Sequence, residues 1–133
     1  MGIIFDTSAI IAIERSRASV ETLIADHVEE PFGVSVITAA ELLHGVERAN
    51  TEERKFRRQA FVEKVIESFP VFPFDLTISR IYARIWAALA QKGFTVGAHD
   101  LIIAATAISL DYTIATTNIR DFEKIPGAKI EKL

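Results

Sequence analysis

Short apolar runs alternate with longer amphipathic segments along most of this chain. Runs such as Ile3-Ile4-Phe5 are bounded by turn-forming or helix-starting residues, which is typical of short buried strands. The longer segments repeat apolar residues at helical spacing, as in the stretch from Thr77 to Lys92 that Gly93 closes. The pattern predicts strands at 3–5, 32–35, 71–72, 112–116 and 129–130, and helices at 9–15, 19–27, 38–49, 52–68, 77–92 and 98–110.

This alternation also predicts the fold class. Short strands that alternate with helices are typical of a three-layer α/β/α domain with a short, mainly parallel central sheet. The pair Val71-Phe72 lies beside two prolines and is therefore expected at an edge of that sheet. The 133 residues fit one domain, 1–133, which is large enough to bury a core without metal or disulfide support. In parallel sheets ligands gather at the carboxyl ends of the strands, so we expect functional residues there.

Composition and charge restrict the function classes. The chain has no cysteine, which excludes disulfides, thiolate metal sites and cysteine nucleophiles. The net charge of −3 argues against a protein that binds nucleic acid through a bulk positive field, although local basic patches remain open. The N-terminal residues lack the basic segment of a signal peptide, and the apolar stretch from Leu101 to Leu110 is too short to span a bilayer. We therefore expect a cytoplasmic protein that does not contact membranes.

Four acidic residues lie close to predicted strand ends or helix starts. Asp6 ends the first strand, Glu41 lies early in the helix after the second strand, and Asp100 opens a buried helix. Asp121 follows the strand that ends at Thr116. Simpler interpretations exist: Asp6 could cap a helix, Asp100 could favour a helix dipole, and Asp121 could be a turn residue. Spacing alone does not establish a site.

Glu41 has the weakest support from periodicity. It lies almost opposite Leu43 on a helical wheel, so the pattern alone predicts a solvated surface acid. The predicted apolar stripe of this helix consists of Val36, Ala39, Ala40, Leu43 and Val46.

Four segments of the chain resemble the motifs of PIN-domain proteins. Phe5-Asp6-Thr7-Ser8-Ala9 is similar to the opening strand and Asp-Thr/Ser-Ser pair of that family. The segments 38–45 and 97–107 are similar to its second and third motifs, and 117–122 resembles the fourth. Their order and separations match across nearly the whole chain, and the chain length is that of VapC-type toxins. The resemblance implies a PIN-like fold and a Mg²⁺-dependent endoribonuclease that acts as the toxin of a type II, VapBC-type toxin–antitoxin pair.

The resemblance also implies which residues form the active site. The implied metal-binding and catalytic acids are Asp6, Glu41, Asp100 and Asp121. Thr117 is implied as a further catalytic residue, whose hydroxyl would hold a metal-bound water or a neighbouring carboxylate, and Asn118 as an accessory residue. Ser8 could act likewise, or it could simply stabilise the strand–helix turn.

Such a set of acids suits one kind of chemistry. Two carboxylates about 4 Å apart repel by about 4 kcal/mol at an effective dielectric of 20, so converging acids need protonation or a cation. Hard oxygen ligands without histidine or cysteine favour Mg²⁺ or Mn²⁺ over zinc. The expected reaction is hydrolysis of an RNA phosphodiester by metal-activated water, which leaves a 5′-phosphate and a 3′-hydroxyl without a covalent intermediate.

Other classes of protein fit the sequence less well. A metal-free ribonuclease would use His44 and His99, but His44 is expected on an exposed helix face and no second histidine is expected near His99. A phosphoacceptor domain needs a second acid beside Asp6, and a phosphatase needs an acid where Ser8 stands. Glycine-rich phosphate loops are missing from the sequence. The main alternative is a PIN fold that does not cleave RNA and serves as an RNA-binding or protein-interaction module.

Basic residues on two helices suggest surfaces for partners. Arg80 and Arg84, one turn apart, could contact RNA phosphates or simply be solvated. The helix pair from Thr38 to Ser68 resembles the clamp that VapC-type toxins offer to a VapB-type antitoxin, and its charges could equally form local ion pairs. Its candidate RNA or antitoxin contacts are Arg48, Arg54, Arg57 and Arg58. The resemblance further implies a homodimer, to which the Ile81 and Ile85 side of the long helix could contribute.

Overall fold

A computed structural model describes residues 2–17, 19–27 and 29–133, in which a five-stranded sheet lies between two layers of helices. The strands are β1 (Ile3–Phe5), β2 (Phe32–Ser35), β3 (Val71–Phe72), β4 (Thr113–Thr116) and β5 (Ile130–Lys132). The helices are α1 (Thr7–Ser16), α2 (Val20–Asp26), α3 (Val36–Glu47), α4 (Glu52–Ser68), α5 (Leu76–Gln91), α6 (Ala98–Leu110) and α7 (Ile119–Phe122).

The strand order β3-β2-β1-β4-β5 places β1 at the centre of the sheet. Every strand pair in it is parallel, so the prediction of a mainly parallel sheet is confirmed. The chain passes from β1 to β2 on one side and later returns to the other side of β1 as β4. The crevice between the carboxyl ends of β1 and β4 is therefore a topological switch point, where ligands bind in open α/β sheets.

Alternating side chains of the central strands enter two separate cores. Ile3 and Phe5 belong to the core beneath α1, α2, α3 and α4, whereas Ile4 between them belongs to the core beneath α5 and α6. The same alternation occurs in β4, where Ala115 enters the first core and Ile114 the second. This period of two in strands buried on both faces confirms the predicted three-layer architecture. Of the helices in the described residues, none is long and apolar enough to cross a membrane.

Helix boundaries follow local capping chemistry. Asp6 and Asp75 accept hydrogen bonds from backbone amides in the first turns of α1 and α5, respectively. Gly93 takes a left-handed conformation with φ of +74° and ends α5, while the amide of Phe94 donates to the carbonyl of Leu89 at 2.9 Å. The predicted end of the long helix at Gly93 is thus confirmed.

Two predictions about helices were wrong. The buried residues of α3 are Thr38, Ala39, Leu42 and Val46, whereas Val36, Ala40 and Leu43 of the predicted stripe are exposed. Because α3 is apolar on nearly every side, its sequence alone did not determine which side faces the core. The sequence analysis also missed α7, a single turn that is too short to show helical periodicity.

Candidate active site

Asp6 lies buried at the centre of the switch-point crevice. Its Oδ1 accepts hydrogen bonds from the Ser8 hydroxyl at 2.7 Å and the Ala9 amide at 2.9 Å. Its Oδ2 accepts one from the Thr116 hydroxyl at 2.6 Å. Asp6 therefore caps α1, as the simpler interpretation predicted, and the same contacts fix its carboxylate at the edge of the sheet. The two roles are compatible because one oxygen still has room for a further ligand.

Thr116 is a site residue that the sequence analysis missed. It ends β4 with its side chain fully buried, and its hydroxyl oxygen also accepts a hydrogen bond from the Asn118 amide at 2.9 Å. The predicted accessory residue Thr117 is exposed, and its backbone amide donates to the Ser8 hydroxyl at 3.1 Å. Two consecutive threonines close a strand here, and only the strand pairing shows which hydroxyl points toward Asp6.

Glu41 reaches the same edge of the sheet from α3. The Thr7 hydroxyl donates to its Oε1 at 2.6 Å, and Nδ1 of His99 lies 3.3 Å from its Oε2. Because Thr38 and Leu42 form the buried side of α3, Glu41 lies beside that buried side and not opposite it. The interpretation of Glu41 as an ordinary solvated acid was therefore wrong. Side chains from α1 and α6 orient both of its oxygens.

Asp100 lies half-buried in the first turn of α6, and the charges of the other acids affect its pKa. Burial raises the pKa of its carboxyl from an ordinary value of 3.8 to about 6, and the negative charges of Asp121, Asp6 and Glu41 add to this rise. The neighbouring His99 acts in the opposite direction on that pKa. Asp100 is therefore close enough to the other three predicted acids to be repelled by their charges.

Asp121 lies on α7 and completes the acidic group from the far side of β4. It is exposed, and its amide donates to the carbonyl of Asn118 at 3.1 Å. Asp121, Thr117 and Asn118 line a small cleft of about 490 Å³ that also includes Arg120 and Lys132. This cleft opens at the carboxyl ends of β4 and β5.

A larger cleft of about 630 Å³ lies on the opposite side of the acids. It runs between α1, α3 and α4, and both His44 and His99 line it. The two histidines thus share a cleft, and within the described residues the side-chain contact of His99 is to Glu41. Three arginines and one further acid also line it, so positive charge exceeds negative charge along the approach to Glu41; these residues are Arg15, Arg48, Arg58 and Glu14.

The other predicted basic contacts are distributed unevenly. Arg54 donates to the Asn50 side-chain oxygen at 3.1 Å, and Arg57 lies 3.6 Å from Glu53. Arg58 donates to the carbonyl of Gly45 at 3.1 Å, which joins α4 to α3. Local pairing therefore occupies these three residues. Arg80 and Arg84 are both exposed on α5, and a contact to RNA remains a prediction for them.

The donor set fits a hard divalent cation. The negative charges of Asp121, Asp6 and Glu41 act on Asp100 and add to the effect of burial in raising its pKa, and a cation relieves repulsion of this kind. Across residues 2–17, 19–27 and 29–133, no group of three His, Cys, Asp or Glu side chains is arranged to hold a metal ion as it stands.

Known proteins of one family are similar to this chain over most of its length. Residues 3–128 match the PIN domain family. Ribonuclease VapC1 of Rickettsia felis is 40% identical over 130 residues, which cover 98% of this chain and 95% of that protein. The chain belongs to the VapC ribonucleases of the PIN-domain family. A second VapC relative, the tRNA(fMet)-specific endonuclease VapC of Salmonella typhimurium, is 36% identical over 113 residues, 80% of this chain and 83% of that protein.

Solved VapC structures share the fold over its full length. The structure of DNA-bound VapBC from Salmonella typhimurium matches with a TM-score of 0.87 and 31% identity, covering 99% of this chain and 98% of that chain. The family resemblance inferred from the four sequence motifs is therefore confirmed.

Proposed function

We propose that this protein is a metal-dependent endoribonuclease that acts as the toxin of a VapBC-type toxin–antitoxin pair in the cytoplasm. The observation that carries the proposal is that, at the switch point of a VapC fold, Asp100 lies within electrostatic reach of Asp6, Glu41 and Asp121. Membership among the VapC ribonucleases supports RNA as the substrate. The Salmonella relative named for tRNA(fMet) makes that tRNA the first substrate to test.

Asp6, Glu41, Asp100 and Asp121 would hold Mg²⁺ or Mn²⁺ in the proposed reaction. When bound, the ion would supply a polarised water and neutralise charge that develops on the phosphate. The protein supplies the orientation of the ligands: Thr116 and Ser8 hold Asp6. Thr7 and His99 hold Glu41 in the same way.

We further propose that the larger cleft receives a VapB-type antitoxin. It is bounded by α1, α3 and α4 and leads to Glu41, and Leu43 and Phe56 are large exposed apolar side chains on α3 and α4. Phe56 is 76% exposed and lies outside the lining of the cleft. A partner lying along this cleft would block access to the acids. The solved VapBC structures that share this fold support such a partner.

The purified protein is expected to cleave RNA in the presence of Mg²⁺ or Mn²⁺ and to stop when EDTA is added. Activity should return when Mg²⁺ is restored in excess, because removal of the ion leaves only repelling carboxylates at the site. The measurement is gel analysis of tRNA(fMet) and of total bacterial RNA, with mapping of the product ends. The expected ends are 5′-phosphates and 3′-hydroxyls.

Two outcomes would count against this mechanism. Full cleavage in EDTA would favour a metal-free mechanism that uses His44 and His99, the histidines that line the larger cleft. Intact RNA in every condition, from a folded protein that still binds RNA, would favour the non-cleaving interaction module instead.

A further inference from the structure

The smaller cleft carries two basic side chains that the predicted site does not include. It is lined by 117–121 together with Lys132, and all of these residues except Ile119 are polar. Arg120 and Lys132 are both exposed, and within the described part of the chain neither forms an ion pair or a side-chain hydrogen bond. The cleft therefore offers two positive charges that no acidic side chain neutralises by direct contact.

Strand pairing places this cleft next to the acidic edge. Phe5 pairs with Ala115, so Asp6 and Thr116 follow side by side, and Thr116 pairs in turn with Lys132. Neighbouring strands lie about 4.8 Å apart, so roughly 10 Å separates the backbone of Lys132 from that of Asp6. Arg120 immediately precedes Asp121 on α7. Both cations thus lie beside the acids, on the side away from the larger cleft.

The backbone that carries these two cations is firmly anchored. Phe122 is fully buried in the second core and holds the single turn of α7 against the sheet. The amide of Leu133 donates to the carbonyl of Thr116 at 2.9 Å, which fixes the end of β5. An anchored backbone loses little further conformational entropy when its side chains bind a ligand. The two charges are therefore well placed to bind an anion.

We propose that Arg120 and Lys132 form a subsite that binds one phosphate of the RNA substrate, next to the phosphate at which the strand is cleaved. The inference rests on the proposed ribonuclease function. A chain of net charge −3 with four converging acids repels RNA, so binding needs local cations that neutralise individual phosphates. The Arg120 guanidinium can donate two parallel hydrogen bonds to phosphate oxygens, and Lys132 adds a point charge. With Arg15 and Arg48 in the larger cleft, positive charge flanks the acids on both sides.

The test compares the wild type with a double variant, Arg120→Gln with Lys132→Gln. Its affinity for a fluorescein-labelled single-stranded oligoribonucleotide, measured by anisotropy in EDTA, is expected to fall roughly tenfold. The slope of log affinity against log salt concentration should shrink by about 0.7, because neutralisation of one phosphate contributes about 0.7 to this slope on a single strand. In Mg²⁺, KM for RNA should rise roughly tenfold while kcat changes less than about twofold, since ground-state binding is lost.

A charge-matched control is Arg17→Gln with Lys129→Gln, which should leave affinity and salt slope unchanged. Arg17 lies at the C-terminal end of α1, whereas Asp6 lies at its N-terminal end. Lys129 precedes β5 and donates a hydrogen bond to Asp111. An unchanged affinity and slope in the double variant, or no binding of the strand by the wild type, would overturn the subsite. Loss of antitoxin binding with unchanged RNA affinity would also overturn it, since the cleft would then belong to a protein interface. A wild type that binds the strand but fails to cleave in Mg²⁺ would instead defeat the proposed function.

Discussion

The substitution Asp100→Asn is expected to make the metal-free protein more stable while it lowers RNA cleavage on the order of a thousandfold. The two effects have opposite signs because the same negative charge repels Asp121, Asp6 and Glu41 in the absence of a cation and helps to hold the cation when it is present. Asparagine has nearly the same shape and cannot ionise. If Asp100 only stabilised the start of α6, its replacement would neither raise the stability of the metal-free protein nor lower cleavage.

The stability gain depends on pH in a direction that the pKa of Asp100 determines. This pKa is about 6 in the folded protein, above the ordinary value of 3.8, so the folded state binds more protons than the unfolded state between these values. The contribution of Asp100 to stability is therefore most favourable below about pH 4 and is lost as the pH rises through about 6. The advantage of Asp100→Asn should grow over the same window and level off near pH 7.

The expected size of this gain is modest. After allowance for solvent screening of a half-buried carboxyl and for the lost interaction with the helix dipole, it is about 1–2 kcal/mol near neutral pH. Thermal unfolding in EDTA measures it as a rise of a few degrees in Tm. The control Asp26→Asn removes an exposed carboxylate at the end of α2 and should leave cleavage and its pH dependence unchanged. A lower Tm with full cleavage in Asp100→Asn would show that Asp100 serves only the helix start.

Expression of the wild-type protein alone is expected to arrest bacterial growth, whereas Asp6→Asn is expected to be harmless. Asp6 lies at the centre of the acids. If the remaining oxygen of asparagine keeps the hydrogen bonds from Ser8 and the Ala9 amide, its NH₂ group replaces Oδ2 and meets the Thr116 hydroxyl with a donor. Cleavage and toxicity should therefore be lost together. Co-expression of a small partner encoded beside the gene should restore growth of the wild-type strain. Growth curves with and without that partner provide the measurement.

A second capping residue separates lost chemistry from lost stability in this experiment. Asp75 caps α5 as Asp6 caps α1, with its Oδ1 accepting from the Ile78 amide at 2.9 Å. Asp75→Ala should thus weaken a helix cap by about 1 kcal/mol, at least as much as Asp6→Asn weakens its own cap, yet remain toxic. Asp6→Asn should still co-purify with the antitoxin, because the proposed clamp of α3 and α4 does not include Asp6. Equal toxicity of the wild type and Asp6→Asn would show that growth arrest does not depend on the acidic site.

The sequence predicted those parts of the fold that local chemistry determines. The apolar run 3–5 and the caps around it defined β1 and the start of α1 within a few residues. The bounds of α6 agree with the prediction because Gly97 precedes it and the left-handed Asp111 ends it. The three-layer arrangement followed from the alternation of strands and helices, which leaves few alternatives for burying both faces of a parallel sheet.

The details that the sequence did not predict depend on contacts between distant elements. The orientation of α3 was misassigned because apolar residues surround that helix, and only its packing against α4 and the sheet shows that Leu42 lies inside and Leu43 outside. The contact between Glu41 and His99 joins two helices far apart in sequence. Likewise, the pairing of β4 with its neighbours distinguishes Thr116 from Thr117, and nothing in the threonine pair itself does so.

A crystal structure with Mn²⁺ bound tests the central claim most directly, because anomalous scattering locates the ion independently of any activity. We expect an anomalous peak for a Mn²⁺ ion that is coordinated by oxygens of at least three residues among Asp6, Glu41, Asp100 and Asp121. The same peak should be lost in Asp100→Asn. If the protein cleaves RNA with Mn²⁺ but the ion binds elsewhere in the crystal, the claim that these four acids hold the metal is contradicted.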